Sequence, residues 1–286
     1  MATKQKKFKL REDLSLCFTI DNIPLTLYRI QALKDFGASD YGSGSEFFVH
    51  KDDLGGYVQS EENLSQDGNC WVFDDAIVMD NAFISDDATV KNNALVKDGA
   101  IVCDSACISM QAKILDSAII SGFAIISGDA TVCDNAEVTE LAKIFNAATV
   151  CDNAKVSGLA RVLHTATVMD NATVDKQAIV MGQSKIAGNA IIDGGIVSDS
   201  SIVADNAIVK DNAQITGTTI VKDYAEVGGD TILIFASVSG HSKIGGSTII
   251  KGTQDSEIDN GYVFENPNNI DLSNDNSSRW NWKSDN

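Results

Sequence analysis

The chain has 286 residues, 22% of them charged, and a formal net charge of −18. So acidic a chain lacks the basic face that nucleic-acid binding requires, and its charge favours solubility and the attraction of basic partners. The basic opening MATKQKKFKLRED is followed by no apolar segment of a secretion signal, and no stretch approaches a membrane-spanning length. We therefore expect a cytoplasmic protein that binds neither nucleic acid nor membrane.

Residues 1–71 are predicted to form a β-rich N-terminal cap. The runs SLCFTI (15–20) and LTLYRIQAL (25–33) are rich in strand-forming residues and are joined by DNIP, which predicts a hairpin. SEFFVH (45–50) predicts a further strand beside a Gly/Ser-rich loop at 41–45. A stack of repeated coils ends in unpaired strand edges, and this segment is suited to cover one of them.

The sequence that follows has a period of six residues. Every sixth residue from Val72 to Ile192 is Val or Ile, and an Ala follows four residues later at all but two of these positions. The frame slips by one residue after Ile192 and again after Leu233, and the pattern then continues to about residue 254. A strict period of six fits neither an amphipathic helix nor a free alternating strand.

Three such hexads close one triangular coil. The hexapeptide TVCDNA recurs letter for letter at 131–136 and 149–154, a step of eighteen residues. Asp, Asn and Gly between the apolar positions tolerate the left-handed backbone that tight corners require. We therefore predict an all-β solenoid of about ten coils over residues 72–254, in which residues eighteen apart stack at about 4.8 Å.

This pattern resembles that of the hexapeptide-repeat proteins, whose fold is a left-handed parallel β-helix shared by many acyltransferases. The segments RIQALKDFG (29–37) and LGGYVQSEENLSQDGNCWV (54–72) resemble the leader of bacterial and phage-borne YdcK-like proteins, which carry an acetyltransferase label based on their fold. The resemblance implies left-handed winding, and acetyl-CoA as the co-substrate if the activity is shared. A fold does not by itself establish an activity.

Residues 255–286 are predicted to be a polar C-terminal tail or cap. They are rich in Asn, Asp and Ser, and they carry Trp280 and Trp282. Burial of a Trp side chain is favourable by a few kcal/mol, so we expect these aromatic residues to dock on the last coil. The alternative is a mobile tail with an adhesive aromatic tip.

One corner of the predicted coil carries aspartate in eight of nine turns. Stacked charges about 4.8 Å apart repel by about 1 kcal/mol in water, so the column needs compensation. We expect each carboxylate to accept backbone N–H groups of its own corner, as in an Asx-turn. The alternative is a row of sites for divalent cations or for a basic partner. The candidate binding residues of this column are Asp80, Asp98, Asp116, Asp134, Asp152 and Asp170.

An apolar stripe interrupts the polar outer positions. Phe83, Ile101 and Ile119 are eighteen residues apart and should stack in one column on one face. A contiguous exposed apolar stripe usually marks an interface, so we interpret it as a partner or self-association face. The alternative is that the N-terminal cap covers it.

The signal for catalysis is limited to histidine. Acyl transfer needs a general base, most often His, and the chain offers His50, His164 and His241. His164 lies at a predicted corner without an inserted loop, and His241 lies beside the second frame slip, which makes it the better candidate. The six cysteines lack CxxC spacing, so no metal site is expected.

These observations favour a non-enzymatic, homo-oligomeric scaffold or binding protein without a cofactor. It would present ladders of identical side chains to a protein partner or to its own copies. The alternative is an acyl-CoA-dependent acyltransferase that acetylates a small acceptor. A third interpretation is an acidic rod that mimics DNA and inhibits a DNA-binding enzyme.

Overall fold

The computed structural model confirms an all-β solenoid. It describes residues 5–20, 23–38, 47–253, 256–259, 263–264 and 269–273. Apart from one 3₁₀ turn at Glu61–Asn63, the regular structure in these ranges is β-strand. The chain packs as two compact units, residues 1–141 and 142–286, and about 11 turns of stacked parallel strands are divided between them.

The first unit begins with the antiparallel strands predicted for the cap. β1 (Phe8–Ile20) and β2 (Ile23–Ala32) form the hairpin, and β3 (Phe36–Ala38) pairs with β4 (Phe47–Val49). The Gly/Ser-rich loop at 41–45 lies outside the described residues. β5 (Leu54–Val58) is antiparallel to β2.

The repeats of the first unit form twelve short strands. They are β6 (Trp71–Val72), β7 (Ile77–Val78), β8 (Phe83–Ile84), β9 (Thr89–Val90), β10 (Leu95–Val96), β11 (Ile101–Val102), β12 (Cys107–Ile108), β13 (Lys113–Ile114), β14 (Ile119–Ile120), β15 (Ile125–Ile126), β16 (Thr131–Val132) and β17 (Glu137–Val138). From β6 to β14, each pairs in parallel with the strand three places further on, as β7 does with β10 and β8 with β11. Three strands therefore make one turn, and paired residues are eighteen apart.

The cap continues directly into the solenoid, because β5 also pairs in parallel with β7. Its residues thus occupy the strand edge that the first turn would otherwise leave open. Trp71 anchors the cap from outside the coil. Its ring makes edge-to-face contacts with Phe8 and Phe36, with centroid distances of 6.4 and 5.3 Å.

The core of each turn consists of the hexad apolar residues. Val78, Ala82 and Ile84 have at most 1% of their surface exposed, and the equivalent positions of later turns are buried in the same way. Each buried Val or Ile contributes about 1.5–3 kcal/mol. The corner residues have positive φ, for example 57° at Asp80 and 61° at Asp98, which Asp and Asn tolerate better than branched residues.

The second unit repeats the same architecture. Its strands are β18 (Lys143–Ile144), β19 (Thr149–Val150), β20 (Lys155–Val156), β21 (Arg161–Val162), β22 (Thr167–Val168), β23 (Thr173–Asp175), β24 (Ile179–Val180), β25 (Lys185–Ile186), β26 (Ile191–Val197), β27 (Ile202–Val203), β28 (Ile208–Thr216), β29 (Ile220–Val221), β30 (Glu226–Val227), β31 (Ile232–Ile234), β32 (Ser237–Ser239), β33 (Lys243–Ile244), β34 (Ile249–Lys251), β35 (Glu257–Asp259), β36 (Val263–Phe264) and β37 (Asn269–Asp271).

The two frame slips are single-residue deletions at corners. β26 pairs Ile191 with Ile208, seventeen residues on, and runs through a corner made by Gly194 and Gly195 with φ of 106° and 73°. Glycine is suited to this shortened corner because it populates such angles without a Cβ clash. The second slip falls at the corner of Phe235, which has φ of 55°.

Parallel strand pairing continues beyond residue 254. β35, β36 and β37 pair with β32, β33 and β34 and build most of a further turn within the predicted polar tail. Ser237 pairs with Glu257, twenty residues on, so this turn contains two more residues than the usual eighteen. Trp280 and Trp282 lie outside the described residues.

Candidate functional site

The aspartate column forms a hydrogen-bonded ladder along one corner. In the first unit, Oδ2 of Asp80 accepts from the backbone N of Asp98 at 3.5 Å. Asp98 accepts in the same way from Asp116 at 3.3 Å, and Asp116 from Asp134 at 3.2 Å. In the second unit, Asp170 donates its N–H to Asp152 at 3.1 Å.

This arrangement corrects the expectation that each carboxylate would cap its own corner. Each carboxylate accepts instead from a backbone N–H of the next turn. The main-chain carbonyl that this N–H would otherwise bond is already used within a corner. Lys97 and Gly99 donate to the carbonyls of Ile114 and Asp116, but the carbonyl of Leu115 already accepts from Ala118 within its corner at 3.2 Å. The N–H of Asp98 therefore bonds to the Asp80 side chain instead. A hydrogen bond to a carboxylate is roughly twice as strong as a neutral one, which offsets repulsion along the column.

The other corners form the same hydrogen bond between turns, with different side chains as acceptors. Asn92 donates its N–H to Asp74 at 2.9 Å, and Met110 donates to Asn92 at 3.2 Å. Gly122 donates to Asp104 at 2.9 Å. The ladder is therefore a structural feature of the corners, and the column of Asp80 differs only in using aspartate more regularly.

A lysine reinforces the ladder at one turn. Lys97 Nζ lies 2.8 Å from Asp98 Oδ2. The hydrogen bond from Lys97 holds the pKa of Asp98 below its ordinary range, and the backbone N–H of Asp116 acts in the same direction. Asp98 therefore remains ionised, and at least one of its oxygens is already engaged by protein donors.

The apolar stripe is exposed, as an interaction face must be. Phe83 pairs with Ile101, and Ile101 with Ile119, so the three side chains stack on one face of the first unit. They are 39%, 39% and 37% exposed, so the described strands of the cap leave them uncovered. Phe123 and Leu141, both exposed at an adjoining corner, were missed by the sequence reasoning although they are also eighteen apart.

The neighbouring face is covered instead. Trp71, Thr89 and Cys107 occupy outward positions on paired strands, yet each has 6% or less of its surface exposed. Trp71 is covered by Phe8 and Phe36 of the cap. The Phe83 stripe thus remains available beside a face that is already closed.

His164 takes part in a corner ladder. It has φ of 62°, and its backbone N donates to Asn146 Oδ1 at 3.2 Å. Its Nδ1 accepts from the backbone N of Gly182 at 3.3 Å. This hydrogen bond requires Nδ1 to be unprotonated, so His164 fills the role that Asp or Asn has elsewhere.

His241 lies on a different corner. Its ring stacks on Tyr224 with a centroid distance of 5.0 Å and an interplanar angle of 11°. Its corner series is that of Asp223, which accepts from Gly240, whereas His164 belongs to the series of Asn146. The fold therefore does not combine the two histidines into one site. His50, in the first unit, contacts Phe48.

A groove of about 330 Å³ in the second unit was not predicted from the sequence. Its lining is formed by Lys210, Asp211, Glu226, Gly228, Gly229, Lys243, Ile244, Gly245 and Gly246. Glu226 forms a close ion pair with Lys210 and a second one with Lys243 at 3.4 Å. The hydrogen bond from Lys210 lowers the pKa of Glu226, so this carboxylate is ionised and unsuited to act as a base near neutral pH. The available signal was the pair of Gly-Gly dipeptides seventeen residues apart.

One cluster has metal-ligand residue types. Ligand atoms of Asp86, Cys103 and Asp104 all lie within 4.8 Å of one another. However, the Asp86 carboxylate accepts from Asp104 and Ser85, and Asp104 accepts from Gly122. Burial raises the pKa of the Cys103 thiol, and the two carboxylates raise it further, which disfavours the thiolate that binds metal.

In the part of the chain that the structure describes, no helix has the length and apolar character needed to cross a membrane. No family model matches the chain, and no curated protein matches it. Its likeness to the hexapeptide-repeat proteins is a sequence resemblance, and its function has to be argued from the residues described above.

Proposed function

We propose that the protein is a non-enzymatic scaffold or binding protein, which uses its rigid solenoid to present side-chain ladders to a protein partner or to its own copies. The observation that carries this proposal is the exposed column of Phe83, Ile101 and Ile119. Contiguous apolar surface of this kind is costly unless a partner covers it.

The packed core behind the stripe supports this role. Val102 follows Ile101 in β11 and Ile120 follows Ile119 in β14, and both are completely buried. Parallel pairing fixes the spacing of the three outward side chains at about 4.8 Å per turn. A partner therefore meets a preorganised surface, which reduces the entropy lost on binding.

Charge favours a basic partner over self-association at low ionic strength. Each chain carries a formal charge of −18, so two copies repel one another. Salt screens this repulsion, with a Debye length of about 8 Å at physiological ionic strength. Self-association through the stripe should therefore strengthen as salt increases, whereas binding of a basic partner should weaken.

The arrangement of the histidines gives less support to an acyltransferase. Neither His164 nor His241 lines the groove of Lys210 and Lys243. Nδ1 of His164 is already an acceptor within the fold, and His241 packs against Tyr224. A general base must lie within hydrogen-bond reach of the acceptor group, and the described residues of the groove supply no histidine.

Calorimetric titration with acetyl-CoA and with CoA tests this proposal. A scaffold should give no binding heat beyond dilution at ligand concentrations up to the millimolar range. Stoichiometric binding of either ligand would contradict the proposal and place the acyltransferase first. A Lys210→Met/Lys243→Met variant then shows whether the groove is responsible.

A further inference from the structure

A lysine and a cysteine meet in the interior of the first unit. The Lys7 side chain has no exposed surface, and Cys70 has none either. Lys7 Nζ lies 3.1 Å from Cys70 Sγ and donates to the Cys70 carbonyl at 2.9 Å. It also contacts the carbonyls of Asp67 and Gly68 at 3.2 and 3.4 Å. Fully buried lysines are rare, so this one requires an explanation.

The interior environment disfavours charge on both groups. Burial lowers the pKa of the Lys7 ammonium from its ordinary value, against the opposing effect of Cys70. Burial raises the pKa of the Cys70 thiol, against the opposing effect of Lys7. Burial therefore shifts both groups toward their neutral forms while the Lys7 nitrogen is held 3.1 Å from the Cys70 sulfur.

We propose that Lys7 and Cys70 form a redox-modification site, in which hydrogen peroxide joins Nζ and Sγ through a reversible sulfenamide bond. The 3.1 Å separation places the nucleophile beside the atom it would attack. Such proximity makes an intramolecular step compete effectively with reactions of external nucleophiles. Condensation of an oxidised cysteine with a nitrogen atom is an established route from sulfenic acid.

The chemistry balances in two steps. Lys7 takes the thiol proton, and the Cys70 sulfur attacks one peroxide oxygen, which breaks the O–O bond. The released hydroxide takes the proton back from Lys7, leaving sulfenic acid, amine and water. The amine then attacks sulfur, the S–O bond breaks, and the hydroxyl leaves as water with a proton from nitrogen. Sulfur is oxidised by two electrons, and one peroxide becomes two waters.

The position of the bond gives it a structural effect. Lys7 precedes β1 and Cys70 precedes β6, so the bond closes a 63-residue loop containing the cap strands. Cross-linking a loop of this length restricts the unfolded chain and stabilises the folded one. Peroxide would thereby fasten the cap onto the first solenoid turn.

The other cysteines with described side-chain contacts have different neighbours. The Cys103 thiol lies with Asp86 and Asp104, and Cys133 contacts Asp134. Cys17 contacts Thr26. The two carboxylates beside Cys103 cannot form a sulfur–nitrogen bond, which makes Cys103 a suitable control.

The test exposes the folded full-length protein to equimolar hydrogen peroxide, blocks remaining thiols with N-ethylmaleimide, and maps tryptic peptides without reductant. We expect the peptides containing Lys7 and Cys70 to be linked, with a combined mass lower by two hydrogens and no cleavage after Lys7. Dithiothreitol should restore both peptides. Unlinked oxygen adducts of Cys70, an unmodified Cys70, or a link of any other mass would overturn the proposal.

Variants separate the bond from general oxidation. Cys70→Ser and Lys7→Arg should give no linked peptide, whereas Cys103→Ser should form it as fully as the parent protein. The melting temperature of the parent should rise by several degrees after peroxide and return after dithiothreitol. Because the mass and melting readouts use the parent protein, the proposal can fail even if Lys7→Arg does not fold.

Discussion

The carboxylate of Asp116 accepts the backbone N–H of Asp134, one turn further along the first unit, at 3.2 Å. In the opposite direction, the backbone N of Ser117 donates to the carbonyl of Asp134 at 2.8 Å. Two bonds of opposite polarity thus connect successive corners. The side chain completes a ladder that the main chain alone would leave broken at each corner.

Substitutions at Asp116 should separate the contribution of its side-chain acceptor from that of its tolerance for a left-handed backbone. Asp116→Asn keeps an acceptor and tolerates φ of 58°, so it should cost less than about 1 kcal/mol. Asp116→Gly removes only the acceptor and should cost about 1–3 kcal/mol, and Asp116→Ala should cost about 1 kcal/mol more because of the left-handed backbone. Urea unfolding midpoints give this order. Equal effects of Asn and Gly would show that the hydrogen bond contributes nothing.

Acid should weaken the ladder. The folded-state pKa of Asp98 lies below its ordinary value of 3.8, mainly because of Lys97 and then because of the Asp116 N–H. A depressed folded pKa stabilises the protein above the unfolded pKa, and this contribution is lost as pH falls through the folded value. The contribution of Asp98 to the melting temperature should therefore be constant near pH 7 and decline below about pH 4.

The control for this effect is Asp98→Asn. It removes the titrating group while keeping an amide oxygen for the N–H of Asp116. Its melting temperature should fall less steeply than that of the parent between about pH 4 and pH 2. If the melting temperatures of the two proteins fall equally over this pH range, the ionised carboxylate has no stabilising role.

Sequence periodicity predicted much of this fold because, in a solenoid, a residue's number in the chain sets both its turn and its face. The period of six gave the strands and corners, and the step of eighteen correctly stacked Phe83 on Ile101. The further turn beyond residue 254 was missed. Its paired residues Ile258, Phe264 and Ile270 keep a spacing of six, but they lack the accompanying Ala pattern.

Features that depend on three-dimensional detail could not be predicted from spacing. The hydrogen bond from the Asp98 N–H to the Asp80 side chain arises because the Leu115 carbonyl is used within its own corner, which the sequence does not display. Lys7 and Cys70 are 63 residues apart and meet only because the cap folds back on the first turn. The groove beside Lys210 likewise depends on how glycine corners of successive turns align.

The exposed stripe should control association. Phe83→Thr/Ile101→Thr/Ile119→Thr keeps β-forming residues but removes most of the apolar surface. If the stripe joins copies of the chain, sedimentation equilibrium should show association of the parent that increases with salt and is lost in this variant.

A matched change on another face is Leu95→Thr/Lys113→Thr, in the paired strands β10 and β13. This variant should associate as the parent does. A parent that stays monomeric at all protein and salt concentrations would exclude self-association and leave the protein-partner form of the proposal. Equal loss of association in both variants would contradict a specific role for the stripe.

The junction between the cap strand β5 and the first solenoid turn depends on Gly55. A Cβ added to Gly55 in β5 would lie 2.5 Å from the Val72 carbonyl oxygen and 2.7 Å from the Trp71 ring, so backbone has to move. We expect Gly55→Ala to destabilise the cap by about 1–3 kcal/mol or more, as other overpacked sites do. Gly99→Ala is the matched control, because its Cβ would meet the Asp116 oxygen at 3.3 Å and it lies on an exposed corner.

Hydrogen exchange in the two glycine variants locates the effect. Gly55→Ala should accelerate exchange of the amides that join β5 to β7, such as Tyr57 N–H, which bonds to the Ala76 carbonyl at 2.9 Å. Exchange in the second unit should be unchanged, because stability is a local property in repeat proteins. Gly99→Ala should leave the Tyr57 amide protected. Equal exchange of this amide in both variants would show that close packing at Gly55 does not hold the cap on the first turn.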